Sequence, residues 1–192
     1  MECMSPHTSP EHLIPQRVRE ERMRRGLTLD QLATQAGVSR AMISKIERGE
    51  SSPTAVLLSR IADAMGLSMS ALMREPRSAP TAIQRVQEQQ QWTDPATGYV
   101  RRLLSPPGDA AEVEIVAVEL PPGQTVSFAA SATLHSDDQI LLLEGQLTLT
   151  SGATVYELQP GDCARVSTHE EQSFGNSGTT AARYLVTKRH FR

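Results

Sequence analysis

Cysteine and aromatic residues are scarce in this 192-residue chain. Two cysteines, Cys3 and Cys163, cannot build a disulfide framework, and so few thiols predict a reducing, intracellular setting. Aromatic residues make up only 4%. Strictly apolar runs are short, Ile140–Leu143 among them, which excludes a helix crossing a bilayer. The opening residues, Met1-Glu-Cys-Met-Ser-Pro-His7, contain no apolar stretch of the kind that directs secretion. Charge of one sign is not in excess either: 19 Lys/Arg stand against 22 Asp/Glu, a net of −3, so bulk charge makes no case for nucleic acid. What remains, 39% hydrophobic and 21% charged residues, is the mix of a folded globular chain long enough for one ordinary domain or two small ones.

The average hides a division. Residues 1–75 carry ten Lys/Arg and nine Asp/Glu, whereas residues 76–192 carry nine and thirteen, so the halves differ in sign at +1 and −4. Texture changes as well. From Arg17 to Arg74 apolar residues recur at helical spacing, punctuated by Gly26, Gly37, Gly49, Pro53 and Gly66. From Val113 onward the pattern becomes short β-type runs: Val113–Leu120, Gln139–Leu143, Gln146–Thr150 and Arg183–Thr187. Turns of the Pro-Pro-Gly, Glu-Gly, Ser-Gly and Pro-Gly-Asp kind separate them. The expected organisation is a flexible tail at 1–12, a helical domain at 13–75, a proline-bearing linker at 76–82 and a β domain at 83–192.

Five helices are expected in the first domain. One opens near Pro15 and runs to Arg25, stopped by Gly26; Thr28 caps a second, Leu29–Ala36, and Gly37 ends it. Ser39 caps a third, Arg40–Arg48; Thr54–Met65 and Ser68–Arg74 complete the set. The tight Ala36-Gly-Val-Ser39 connection suits a helix-turn-helix, whose two helices meet at a steep angle. Leu29, Leu32, Ala33, Val38, Ile43, Ile46, Leu57, Ile61, Ala62 and Leu67 then share one small core.

Three stretches, Arg22–Ala33, Ala36–Glu50 and Ser52-Pro-Thr54, together resemble the helix-turn-helix of the phage-repressor (Cro-like, XRE) family over about sixty residues without a gap. The resemblance implies a lambda-repressor-like all-α fold whose third helix enters the major groove of double-stranded operator DNA. It implies base-edge contacts from Ser39, Arg40, Ala41, Ser44 and Lys45, and phosphate contacts from Arg48, Ser51 and Ser52. Leu29 stands where the family places a phosphate-contacting Gln. The resemblance also implies that Arg22 and Glu47 form an internal ion pair rather than a DNA contact. Arg17, Arg19, Arg24 and Arg25 are either phosphate contacts or helix surface. Because such heads read DNA in pairs, a homodimer is expected.

In the second domain, Asp138–Leu149, Tyr156–Cys163 and Ser173-Phe-Gly-Asn176 resemble the cupin family, an all-β double-stranded β-helix barrel. Trp92–Arg102, ahead of them, resembles the first strands of regulators with this layout. Metal-binding cupins hold their ion with histidines and a glutamate. Here the glutamate position falls on Asp138, the paired-histidine positions on Ser131/Thr133 or Ala132/Leu134, and the last histidine on Gln172. Hydroxyls and amides hold transition metals poorly, so no cofactor, no metal site and no catalytic residues are expected. His135 and His169 lie off register and read as barrel-rim residues, and Cys163 as a buried core cysteine.

Together these readings predict a cytoplasmic, sequence-specific transcription regulator, a repressor in the habit of its family. Its barrel dimerises and senses a small effector, acting on the heads through the linker; no membrane partner is expected. Two alternatives stand beside it: a metal-dependent cupin enzyme with a DNA-binding head, and a regulator whose barrel only dimerises.

Overall fold

A computed structural model describes residues 10–74, 81–106 and 113–190. The first nine residues and most of the expected linker lie outside the described residues. Five helices form the first domain: α1 (Pro10–Arg24), α2 (Leu29–Ala36), α3 (Arg40–Glu47), α4 (Ala55–Ala64) and α5 (Met69–Met73). Four start in the same way. The hydroxyls of Thr28, Ser39, Thr54 and Ser68 accept the backbone N–H of Gln31, Met42, Leu57 and Ala71, each satisfying a donor that the helix end would otherwise leave unpaired. Thr28 adds the reciprocal bond from its own N–H to the Gln31 side chain.

α1 departs from the expected boundary. It begins at Pro10 rather than Pro15, so residues 10–12 belong to the helix and not to a tail. Leu13 and Ile14 are buried and anchor this first turn, which the sequence pattern had assigned to the tail or to the residues leading into the helix. Pro15 sits inside the helix, close enough to its start that the missing N–H removes a single intrahelical bond. Of the expected core, Leu32, Ala33, Ile43, Ile46, Ile61 and Ala62 are buried, while Leu29, Val38, Leu57 and Leu67 are partly buried against them.

The second domain is two antiparallel sheets face to face. Its strands are β1 (Gln91–Thr93), β2 (Val100–Leu103), β3 (Val113–Leu120), β4 (Thr125–Phe128), β5 (Ser136–Glu144), β6 (Leu147–Ser151), β7 (Thr154–Leu158), β8 (Cys163–Ser167), β9 (Gln172–Gly175) and β10 (Ala182–His190). A six-stranded sheet runs β1-β2-β3-β10-β5-β8 and a four-stranded one β4-β9-β6-β7. Strict alternation sends Glu114, Val116, Val118 and Leu120 of β3 inward, and Val113 and Ile115 outward. Between the sheets Phe174 stacks on Tyr184 at 5.7 Å between ring centroids. Gly145, in the β5–β6 turn, has φ +82, and a Cβ there would meet the Ala181 carbonyl oxygen at 2.6 Å, so only glycine fits.

The same alternation corrects the expectation for Cys163. β8 is an edge strand; Val166 turns into the barrel and Ala164 is half-buried, while Cys163 and Arg165 turn out, leaving the thiol exposed. Among the described residues no helix is long and apolar enough to cross a membrane.

Within the helical domain, Arg22 Nε and Nη2 donate to the Glu47 carboxylate at 2.6 and 2.9 Å, and Nη1 reaches the Leu27 carbonyl at 2.8 Å. This fork ties α1 to α3 and raises the guanidinium above its ordinary pKa, chiefly through the bonds to Glu47. Glu47→Ala leaves a mostly buried cation without its carboxylate. It is expected to destabilise the helical domain by about 2–4 kcal/mol in urea unfolding followed by circular dichroism.

Candidate nucleic-acid interface and barrel cavity

The α2–α3 turn is set by Gly37, at φ +59. Ser39 follows in extended conformation and caps α3, so the first residues of α3 project past the turn. Ser39, Arg40, Ala41, Lys45, Arg48 and Ser52 are exposed, while Ser44 and Ser51 are half-buried. Ile43 and Ile46 hold the opposite face of the helix in the core. Arg40 faces Asp30 across the turn at 3.3 Å, both largely exposed, an ion pair weak enough to exchange for a nucleic-acid acceptor. Arg48 is more committed. Its guanidinium holds Glu50 at 2.6 and 2.7 Å and also donates to Ser44, so a phosphate contact from it must displace Glu50.

Most of the α1 arginines serve the fold. Arg17, Arg24 and Arg25 converge on buried Glu21, and Arg25 Nε also reaches the Met65 carbonyl at 2.6 Å. Burial raises the Glu21 carboxyl, but the bonds from Arg25 and Arg24 outweigh it and hold the pKa below its ordinary value. Arg19 is exposed.

The barrel opens toward the helical domain. A cavity of about 140 Å³ lies at that mouth, walled by barrel residues such as Tyr99, Phe128, Phe174 and Tyr184 and by α4–α5 residues such as Ala62, Leu67 and Met69. Sequence reasoning missed this shared wall, because its two sides lie some seventy residues apart. Asp63, on α4, is its clasp. Its carboxylate accepts from the Ser131 hydroxyl, from the backbone N–H of Ala132 and Thr133 at 3.1 and 3.3 Å, and from the Thr133 hydroxyl at 3.0 Å. Burial raises the Asp63 carboxyl, yet these bonds prevail and hold it below its ordinary value. The clasp is therefore intact above the ordinary carboxylate range and weakens as pH falls through the lower folded value. Further along, Ser68 donates to Glu114 at 3.2 Å and Arg101 to Ser70 at 3.0 Å. Three residues before Asp63 on α4, Arg60 donates to the Gly37 carbonyl, joining the cavity lining to the helix-turn-helix turn itself.

The positions where metal-binding cupins place their ligands do other work here. Asp138 is buried, bonded by Lys188 Nζ and by the Ser136 hydroxyl at 2.7 Å. Gln172 turns its amide N–H to the Ser167 carbonyl at 3.0 Å. Ser131 and Thr133 are spent on Asp63. His135 stacks on His169 at 3.9 Å between centroids, and His169 is exposed. Among the described residues no cluster of three His, Cys, Asp or Glu could hold a metal. A carboxylate already matched by an ammonium, an amide and two engaged hydroxyls do not fit a transition metal.

Comparison with known proteins agrees with this division. A helix-turn-helix family model matches residues 18–72 and a cupin-domain model residues 116–188. The HTH-type transcriptional regulator SutR of Escherichia coli is 27% identical over 161 residues, 84% of this chain and 85% of that protein. The HTH-type transcriptional regulator PuuR of the same organism is 27% identical over 180 residues, 92% of this chain and 95% of that protein. A crystal structure of an HTH_3 family transcriptional regulator from Vibrio cholerae superposes with a TM-score of 0.78 at 26% identity, covering 95% of this chain and 97% of that one.

Removing one member of the Asp138–Lys188 pair separates charge from partner. Asp138→Asn is expected to cost about 2–4 kcal/mol, whereas Asp138→Asn combined with Lys188→Met recovers most of that loss, measured by thermal and urea unfolding of both variants.

Proposed function

We propose that this chain, with an N-terminal helix-turn-helix domain and a C-terminal cupin domain, is a transcriptional regulator, a cytoplasmic repressor reading a specific operator as a homodimer with the barrel as effector sensor. The observation that carries the reading is α3, with Arg40, Ala41 and Lys45 exposed on its outer face directly after the Gly37 turn. In the major groove these side chains suit guanine O6/N7 and a thymine methyl, while Ser51 and Ser52 in the following loop suit phosphates.

A single head of near-neutral charge binds DNA weakly, and two heads about 34 Å apart would supply both affinity and specificity. The outer face of the six-stranded sheet supports pairing through the barrel: Ile115 and Leu143 are exposed there, with half-buried Leu141 and Leu185 between them. No catalytic step is assigned to the barrel, and no resident metal. The neutralisation of Asp138 by Lys188 supports both, since the carboxylate is already matched by an ammonium.

An effector regulates only if it binds the DNA-competent and DNA-incompetent arrangements with different affinity. Through the cavity shared by α4, α5 and the barrel, a ligand would touch the head directly. That route supplements the linker, most of which lies outside the described residues.

The reading is tested by fluorescence anisotropy on DNA from upstream of the protein's own gene, at low and physiological salt. Arg40→Ala/Lys45→Ala is expected to lose roughly 30-fold or more in specific affinity while keeping its unfolding temperature, at about 1–3 kcal/mol per bidentate base contact. Binding equal in wild type and variant, and equally steep in salt on any duplex, contradicts it.

A further inference from the structure

Six charged side chains line the cavity, and five have local work. Lys188 and Asp138 pair with each other, and Asp63 is saturated by Ser131, Ala132 and Thr133. Glu170 sits exposed at the rim and accepts from Ser151 at 3.1 Å, and Arg60 is exposed and bonded to Gly37. Arg101 is different. It projects inward from β2 and is only 4% exposed. Its guanidinium donates one hydrogen bond, to the Ser70 hydroxyl, and Nε has no acceptor. Among the described residues no carboxylate forms an ion pair with it. A guanidinium cannot shed its proton to escape burial, so a cation left in this state favours an arriving anion.

The surroundings narrow the anion. Tyr99, Phe128, Phe174 and Tyr184 give the cavity an aromatic wall, and Met69 adds an apolar patch from α5. Tyr184 lies within electrostatic reach of Arg101, and burial pushes its phenol far up, so it stays protonated and can donate to an anion. An inorganic anion would use Arg101 and waste the wall; a primary amine would meet a buried positive charge.

We propose that the cavity takes a compact organic carboxylate, its charge on the Arg101 guanidinium and its hydrocarbon body against the aromatic wall. The inference rests on the effector-sensing reading above and names the chemistry of that effector. Arg101 also gives the ligand its means of reporting. A carboxylate is a stronger acceptor than a serine hydroxyl, so it competes with Ser70 for the same N–H groups and loosens one bond between barrel and head.

The test is thermal unfolding of the full chain with benzoate, phenylacetate and isovalerate, each beside its matched amide, and with phosphate and sulfate. At least one organic acid is expected to raise the unfolding temperature by about 5 °C or more at 100 times its Kd, its amide by far less. Arg101→Met is expected to abolish that response while raising the unfolding temperature of the ligand-free protein, because it removes an unmatched buried charge. If that variant does not fold, Arg101→Lys keeps the charge without the fork and is expected to retain a weaker response. The acid that binds is expected to change operator affinity by about 5- to 150-fold. Acids without effect, amides or inorganic anions equal to the acids, or an undiminished response in Arg101→Met overturns the proposal. Operator binding of the ligand-free protein is scored separately: its loss defeats the regulator reading, whereas intact operator binding with no acid response defeats only this inference.

Discussion

The Asp63 carboxylate is the constraint on which the two halves of this protein depend. The α4–α5 segment needs a fixed position on the mouth of the barrel, and a loop such as 131–134 exposes backbone N–H groups that need acceptors. Asp63 meets both needs, accepting from two consecutive backbone N–H groups and from the hydroxyls on either side. The mouth of the barrel is thereby closed by the helical domain, and a cavity that would face solvent becomes a chamber between the domains. Arg60, three residues earlier on the same helix, carries the arrangement on to the turn that positions α3.

The barrel scaffold makes sense in the same terms. Where related barrels gather histidines around an ion, this chain places a buried ion pair, an amide turned to a backbone carbonyl and hydroxyls that serve the inter-domain clasp. Each is satisfied locally, so none of these side chains presents an open coordination site. Arg101 is the exception inside the chamber, and an unsatisfied buried charge is the feature a binding site needs and a core does not.

Much of the helical domain could be read from its sequence because its determinants are local. Thr28, Ser39, Thr54 and Ser68 cap helices within three residues of themselves, and Gly37 and Gly49 act on the turns they occupy. The exposed face of α3 followed from the same local order, since capping at Ser39 and burial of Ile43 and Ile46 leave Arg40, Ala41 and Lys45 outside. What escaped was non-local or depended on register. Cys163 could be placed only once β8 was known to be an edge strand, because alternation alone does not say which face is out. Asp63 meets Ser131 across sixty-eight positions, and Arg101 meets Ser70 across thirty-one, separations at which no spacing rule operates. The commitment of Arg17, Arg24 and Arg25 to Glu21 was visible as spacing on one helix, but only burial of Glu21 decides between a structural network and a DNA-facing patch.

The central claim is that the head is docked on the barrel and not merely tethered to it. Amide nitrogen relaxation of the ligand-free protein measures this most directly, because it gives a rotational correlation time for each domain. The account predicts one shared value for residues of α1–α5 and of the barrel in the wild type, and separate, shorter values for the helical domain in Asp63→Asn. Independent tumbling of the two domains in the wild type would contradict it.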